Sequence, residues 1–166
     1  MKNTPLIGIA AHSSQAGKTQ LILSLVQELA RRGLRAAVLK HASHINWPAD
    51  KDSGLYMLHG AAASLIVSPT GWQLSAAPAQ EPDFTLAKNL LEQSMPTDII
   101  LTEGYKNGPQ PKLLISESVL DKELLLPHTI ALISEAPQHL SLPCFRNTDI
   151  KEISEFIMYS CGLGGK

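Results

Sequence analysis

The feature that most constrains this chain is a Gly-Lys-Thr tripeptide at residues 17–19, which stands between an apolar run and an apolar stripe. The run LIGIAA at residues 6–11 is typical of a buried strand, and large aliphatic residues recur at helical spacing over residues 21–29. A strand, a loop of small residues and a helix that begins at Gly-Lys-Thr are the context of a phosphate-binding loop, or P-loop. The segment therefore predicts an α/β domain that binds phosphate groups at a helix start.

The residues of this loop have specific expected roles. Backbone N–H groups of the loop and the first helical turn are expected to point at phosphate oxygens, where the helix dipole favours negative charge. We expect the Lys18 ammonium to neutralise the β and γ phosphates and the Thr19 hydroxyl to bind Mg²⁺. The predicted nucleotide-binding residues of the loop are Ser14, Gln15, Ala16, Gly17, Lys18, Thr19 and Gln20.

The loop departs from the usual P-loop pattern at His12, which occupies the position of the first glycine. A Gly-Lys-Thr tripeptide alone is common, so an ordinary strand-to-helix turn with a solvated Lys18 is the alternative. The strand before the tripeptide and the apolar stripe after it favour the P-loop.

Length and composition are those of a globular protein. With 166 residues, 44% of them hydrophobic and 17% charged, the chain is expected to form one domain, residues 1–166, with its own core. A net charge of −1 gives no reason to expect binding to nucleic acid or to a membrane surface. Cys144 and Cys161 form no CxxC motif, so neither a disulfide framework nor a zinc site is expected. The N-terminal apolar run is too short for a membrane span and leads into the P-loop, so a cytoplasmic location is expected.

Charged residues follow two further predicted strands, at the sheet edge where open α/β proteins bind ligands. A strand at residues 35–40 and an apolar strand at residues 98–102 both end in such residues. The second delivers Glu103, and an acid in that position downstream of a P-loop is expected to reach Mg²⁺ or its waters. Glu103 is thus a predicted metal ligand and catalytic residue. The basic residues predicted beside the nucleotide are Lys40, His41 and Lys106.

Residues 42–53 show neither helical nor strand periodicity and precede a short helix predicted at residues 55–59. Asp52, in this loop, is predicted as a second acid at Mg²⁺ and a second catalytic residue. A solvated charged turn in which Ser53 caps the helix is an equal alternative, because Ser is also a frequent helix cap.

Two short runs of strand character around a Pro-Thr-Gly turn predict a hairpin at about residues 62–76. An isolated two-stranded hairpin is marginally stable in water, so we expect it to pack against a second copy of the chain, which predicts a homodimer. Packing against the protein's own sheet edge is the alternative.

The remaining predicted elements follow from apolar periodicity and caps. A helix is predicted over residues 83–94 with Asp83 as its cap, and a last helix from Asp149, where Glu152 suggests a capping box. Further strands are predicted at residues 111–115 and 129–133.

The ordered series of motifs resembles the MobB family, the molybdopterin-guanine dinucleotide biosynthesis adapter proteins, over residues 7–157. The motifs that carry the resemblance are AGKT, LKH, DKDS, TEGYK, a Pro-Lys pair that ends at Lys112, and LPCF before an Asp-capped helix. The resemblance implies a P-loop NTPase-like three-layer fold, with a mostly parallel sheet flanked by helices and a β-hairpin appendage. It also implies a homodimer that binds GTP and Mg²⁺. Its expected partner is the MobA-like molybdopterin guanylyltransferase, which joins GMP to molybdopterin, and molybdopterin and the molybdoenzymes are further candidates.

Two other functions remain open. One is an ATP-dependent ligase or kinase like the dethiobiotin synthetase group, which also has a P-loop without its first glycine and a Glu-Gly pair at a later strand end. Here Tyr105 and Lys106 follow that pair, where this group continues with further glycines. The other is a degenerate P-loop scaffold that only docks a partner.

Guanine preference is implied by the resemblance alone. The chain has no NKxD motif, and the nearest candidate, residues 147–149, lacks the lysine and is interpreted as a helix cap. Because no arginine finger is evident in the sequence, any GTP hydrolysis by the isolated protein is expected to be slow.

Overall fold

The computed structural model describes residues 3–13 and 15–164. Its strands are β1 (Leu6–Ala11), β2 (Ala36–Lys40), β3 (Ala63–Ser68), β4 (Gly71–Ala76), β5 (Ile99–Glu103), β6 (Lys112–Ile115), β7 (Thr129–Ile133) and β8 (Cys144–Phe145). Its helices are α1 (Lys18–Arg31), α2 (Asp52–Leu58), α3 (Phe84–Ser94) and α4 (Ile150–Ser160), with a 3-10 turn at Lys122–Leu124.

Contact density divides the chain into two compact units. The first comprises the residues up to 41 and from 87 onward, and the second comprises residues 42–86. The single domain expected over residues 1–166 stays a prediction.

The first unit is built on a six-stranded sheet in the spatial order β2-β5-β1-β6-β7-β8, and its neighbouring strands all pair in parallel. Strand β1 is central, between β5 and β6. Because parallel strands place their carboxyl ends at one edge, the segments after β1, β2 and β5 meet there. The expected α/β class with a mostly parallel sheet, flanking helices and a separate hairpin is confirmed.

Both faces of the sheet are covered at β1, β5 and β6, which explains why these strands are apolar runs without alternation. On one face, Ile7 and Ile9 of β1 belong to a core cluster with Leu25 of α1 and Ile153 of α4. On the other face, Ala10 belongs to a second cluster that the segments after β6 and β7 complete. The apolar stripe of α1 is therefore core, as its spacing predicts.

The second unit contains the hairpin of β3 and β4, which pair antiparallel as predicted. Helix α2 begins at Asp52, three residues before the predicted start. Its first flanking residue is Lys51, and Ser53 is buried inside the helix, so the alternative in which Ser53 caps it is wrong. Gly54 is required there, because a Cβ atom would lie 1.9 Å from the carbonyl oxygen of Pro48.

The two predicted helix caps have different outcomes. The Asp83 carboxylate accepts a hydrogen bond from the Leu86 N–H at 2.7 Å, which confirms the first. Asp149 does flank α4, but its carboxylate accepts the Arg146 N–H at 2.9 Å and makes no side-chain cap to the helix. The capping box with Glu152 is therefore wrong, because the Asp149 carboxylate is turned to the Arg146 N–H and not to the helix.

The helices of the described residues are too short or too polar to cross a membrane.

Candidate functional site

The loop after β1 turns sharply into α1 at Gly17. This residue has φ 76°, in the left-handed region, and its N–H donates to the Gln15 carbonyl oxygen at 2.8 Å. Glycine adopts that conformation without the steric cost of a Cβ atom. Because Gly17 has no side chain to cap α1, the start of this 14-residue helix offers its N–H groups to an anion. Ser14, predicted at the phosphates, lies outside the described residues.

The remaining residues of the loop differ in how far they are buried. Ala16 is buried, whereas Gln15, Thr19 and Gln20 are exposed. The predicted contacts of Gln15 and Gln20 with nucleotide stay predictions.

The Lys18 side chain is folded back into the loop. Its Nζ donates to the Ser13 carbonyl oxygen at 2.6 Å, and the residue is only 9% exposed. Burial lowers the pKa of Lys18, Glu103 opposes that shift, and the neighbouring Lys106 and Lys40 add to it. A bound phosphate would therefore favour the charged form of this partly desolvated ammonium.

Glu103, the last residue of β5, lies at the meeting point of three strands. It is the register partner of Ile9 in β1 and of Lys40 in β2. The Thr19 hydroxyl lies 3.3 Å from both carboxylate oxygens of Glu103, and the Lys40 Nζ lies 3.2 Å from one of them. Glu103 is 9% exposed, so the carboxylate is held by these partners at the sheet edge. The structure thus brings together Thr19, Lys40 and Glu103.

The donor set at this point fits Mg²⁺. A threonine hydroxyl and a carboxylate are hard oxygen ligands, and Mg²⁺ is usually bound through one or two carboxylates together with waters and substrate phosphates. Among the described residues, no three His, Cys, Asp or Glu side chains gather as a metal site. The Thr19–Glu103 pair is therefore suited to a metal that phosphate oxygens help to bind.

Asp52, the second predicted acid, is the first residue of α2 and belongs to the second unit. It is exposed. Its proposed roles in metal binding and catalysis stay predictions.

His41 is held where β2 ends. Its backbone N–H donates to the Glu103 carbonyl oxygen at 2.9 Å, and the centroid of its ring lies 5.0 Å from that of the Tyr105 ring. Between them, Gly104 has φ 88°, and a Cβ atom there would lie 3.1 Å from the His41 Cβ. A close approach and a left-handed turn together explain this glycine.

Lys106 and His12 connect the P-loop to two other segments. The Lys106 Nζ donates to the His12 carbonyl oxygen at 3.0 Å, and the His12 Nε2 donates to the Leu124 carbonyl oxygen at 2.8 Å. The His12 ring is therefore occupied by this contact with the 3-10 turn. Sequence reasoning missed this anchoring role, since Leu124 is 112 residues away in the chain.

Lys112 has a role that sequence reasoning also missed. It begins β6 and is completely buried, with its Nζ donating to the carbonyl oxygens of Gly108 at 3.0 Å, Gln110 at 3.0 Å and Pro127 at 2.5 Å. The three donors of the ammonium are thereby used, although burial lowers the pKa of Lys112. Lys112 fixes the connection that carries Tyr105 and Lys106.

The fold and this site can be compared with known proteins. A family model described as MobB, molybdopterin guanine dinucleotide synthesis protein B, matches residues 6–135. The chain is 30% identical over 169 residues to a molybdopterin-guanine dinucleotide biosynthesis adapter protein of Escherichia coli (strain K12), and the match covers 93% of this chain and 91% of that protein. It is 28% identical over 158 residues to the protein of the same description from Haemophilus influenzae, with 92% and 87% covered.

Solved structures agree with the sequence matches. A crystal structure of MobB from Bacillus subtilis superposes with a TM-score of 0.75 at 27% identity, covering 95% of this chain and 98% of that chain. The likeness confirms the P-loop-like fold class. With the family match over most of the chain, it shows that this protein belongs to the MobB family.

Proposed function

We propose that this chain is a GTP-binding adapter in molybdopterin guanine dinucleotide biosynthesis. It assists a MobA-like guanylyltransferase in attaching GMP to molybdopterin, and molybdopterin or the molybdoenzymes are further candidate contacts. Membership of the MobB family and the names of the relatives support the pathway. The P-loop supports the nucleotide.

The observation that carries nucleotide binding is the convergence of Lys18, Thr19 and Glu103 beside the left-handed turn at Gly17. The turn presents helix N–H groups to phosphate oxygens, and Lys18 supplies a partly desolvated positive charge. When bound, Mg²⁺ would supply positive charge that neutralises the phosphate oxygens. Thr19 and Glu103 would hold it, and Lys40, whose Nζ lies 3.2 Å from a Glu103 oxygen, would keep that carboxylate oriented.

Hydrolysis by the isolated chain is expected to be slow. Three of the four arginines, Arg31, Arg32 and Arg35, lie at the end of α1 or just before β2, at the sheet edge opposite the P-loop. The fourth, Arg146, follows β8, which β6 and β7 separate from the strand that carries the P-loop. An arginine finger contributes about 10³–10⁵ in rate. Without one, unassisted turnover is expected at roughly one per minute or slower.

The test of the metal assignment is Glu103→Gln, which keeps the size of the side chain and removes its charge. Mg²⁺-dependent GTP turnover should fall to near background, while GTP binding remains measurable by calorimetry. The matched control is Glu123→Gln, the same substitution at an exposed glutamate of the 3-10 turn, which should behave like the parent.

Turnover by Glu103→Gln at the parent rate would refute the metal assignment. If the parent alone hydrolyses many GTP molecules per second, the protein is an enzyme and the adapter function is refuted. Adding the purified guanylyltransferase and measuring dinucleotide formation with and without this chain tests the pathway itself.

A further inference from the structure

A second concave feature lies at the same edge of the sheet as the P-loop. It is a cavity of about 370 Å³ at the carboxyl ends of β7 and β8, within the first unit. The lining residues are Ser134, Glu135, Ala136, Pro137, Cys144, Phe145, Arg146 and Asp149. The MobB family model matches residues 6–135, so the lining residues from Ala136 onward lie beyond the matched range.

Size and position fit one part of a nucleotide. Small-molecule sites have volumes of roughly 300–1,000 Å³, so this cavity suits a ring system and is small for a whole nucleoside triphosphate. Strand β7 is separated from β1 by β6 alone. At a spacing of about 4.8 Å per strand, the cavity begins about 10 Å from the strand that carries the P-loop. A nucleotide with its phosphates at Gly17 could therefore reach the cavity with its base.

Charged residues of both signs line the cavity. Glu135 follows β7, and its Oε1 accepts the Asn147 N–H at 3.0 Å. An ionised carboxylate has about four acceptor positions, so Glu135 retains capacity for a ligand. Asp149 differs, because its two oxygens face the Arg146 N–H and the Thr148 hydroxyl at 2.9 Å and 3.4 Å.

Arg146 and Phe145 also line the cavity. The Arg146 side chain supplies a planar group of donors. Phe145 is half-buried against Phe156, with ring centroids 5.4 Å apart, and so gives the cavity a fixed apolar surface. An apolar surface, a carboxylate and a guanidinium in one cavity suit a flat heterocycle that has hydrogen-bond donors along one edge and acceptors along another.

We propose that this cavity binds the guanine base of the nucleotide whose phosphates lie in the P-loop. Glu135 accepts hydrogen bonds from the N1–H and the 2-amino group, and Arg146 donates to O6 and N7. The inference rests on the proposed function, since it requires a nucleotide at the P-loop. It supplies the base selectivity for which the chain has no NKxD motif.

The chemistry of the bases makes Glu135 selective. Guanine presents two adjacent donors, which a carboxylate can accept together. Adenine presents an acceptor at N1, which the carboxylate would repel. Xanthine carries a carbonyl oxygen in place of the 2-amino group, which a carboxylate would also repel and an amide N–H₂ would bind. A good bidentate pair discriminates between bases by about tenfold to a hundredfold.

Calorimetric titration of the full chain with GTP, XTP and ATP in the presence of Mg²⁺ tests the proposal. Glu135→Gln should weaken GTP binding by about tenfold to a hundredfold and strengthen XTP binding. The glutamine oxygen can still accept the Asn147 N–H, so the melting temperature should not change. Arg146→Gln should weaken binding of GTP and leave tripolyphosphate binding unchanged. The matched control is Glu117→Gln, the same substitution at an exposed glutamate just after β6 that does not line the cavity. It should bind all three nucleotides like the parent.

Tripolyphosphate separates this proposal from the proposed function, because it contacts the P-loop without a base. If the parent binds GTP and tripolyphosphate but Glu135→Gln keeps the parent's ratio of GTP to XTP affinity, the base site is refuted and nucleotide binding stands. If the parent binds neither GTP nor tripolyphosphate, nucleotide binding is refuted, and the base site with it.

Discussion

At the scale of single residues, two lysines show opposite uses of a buried ammonium. Lys18 is buried beside a loop that can receive an anion, and its Nζ has a carbonyl partner at 2.6 Å. Lys112 is buried among three carbonyl oxygens and has no need of a ligand. Removing the first should therefore affect binding, and removing the second should affect stability.

Lys18→Ala should weaken GTP binding at least tenfold, because a charge-assisted contact to phosphate contributes about 1.5–3 kcal/mol. The free energy of unfolding should change little, since the Lys18 side chain packs in a loop and not in the core. Calorimetry with Mg²⁺ and GTP measures the affinity, and Lys122→Ala, an exposed lysine variant in the 3-10 turn, is the control. Equal GTP affinity in Lys18→Ala and the parent would contradict the P-loop assignment.

Lys112→Met should lower the free energy of unfolding by about 3 kcal/mol or more, because it leaves three buried carbonyl oxygens without their donor.

The pH dependence of this difference in stability has a defined sign. Since burial lowers the pKa of Lys112 in the folded state, the unfolded chain binds more protons between that lowered pKa and about 10.4. The parent should therefore gain stability over Lys112→Met as the pH rises through this window. Urea unfolding at several pH values measures the difference, and parallel pH profiles would contradict it.

At the scale of elements, the sequence predicts best where a segment's own pattern decides its structure. Strand β1, helix α1 and strand β5 are apolar or periodic segments. The structure has both strands within a residue of the prediction, and α1 begins at the Gly-Lys-Thr tripeptide as predicted. Strand β8 is two residues long and forms only because β7 provides its partner, so no pattern in its own sequence predicts it. The capping box fails for a local reason, since the Asp149 carboxylate accepts the N–H of Arg146, three residues earlier in the chain.

The turn after β5 allows a matched test of a glycine. Gly104 and Gly33 have similar left-handed φ values, 88° and 78°, but a Cβ atom would meet His41 at the first and nothing within 4 Å at the second. Gly33→Ala should cost about 1 kcal/mol for the backbone conformation alone. Gly104→Ala should cost more, because the His41 backbone must also move.

Denaturant unfolding of both variants measures the difference between them. Equal losses would show that the approach of His41 to Gly104 adds nothing to the conformational cost. A larger loss in Gly33→Ala would contradict the role assigned to this turn.

At the scale of the whole molecule, the sequence predicts the class of fold and the edge at which the site lies, because both follow from strand order and strand ends. It does not predict the buried position of Lys112 or the cavity at Glu135. Each depends on segments that meet only in the folded chain: Gly108 with Pro127 at the first, and the ends of β7 and β8 at the second.

The exposed hairpin bears on the oligomeric state. Large apolar side chains on its strands are 49–72% exposed at Leu65, Val67, Trp72 and Leu74. We expect a second copy of the chain to cover this surface, so light scattering at tens of micromolar should give the mass of a dimer. Val67→Glu should shift it towards the monomer, because a charge would be buried in the contact. A monomeric parent would contradict the homodimer.

The order of the strands also has a consequence for synthesis. The central strand β1 pairs with residues 100–103 on one side and 112–115 on the other. At about 5–20 residues per second, a ribosome needs roughly 5–20 s to make the first hundred residues. Throughout that time this apolar central strand has both edges unpaired. The nascent chain is therefore expected to depend on chaperones for more than half of its synthesis and to fold only when β5 and β6 have emerged.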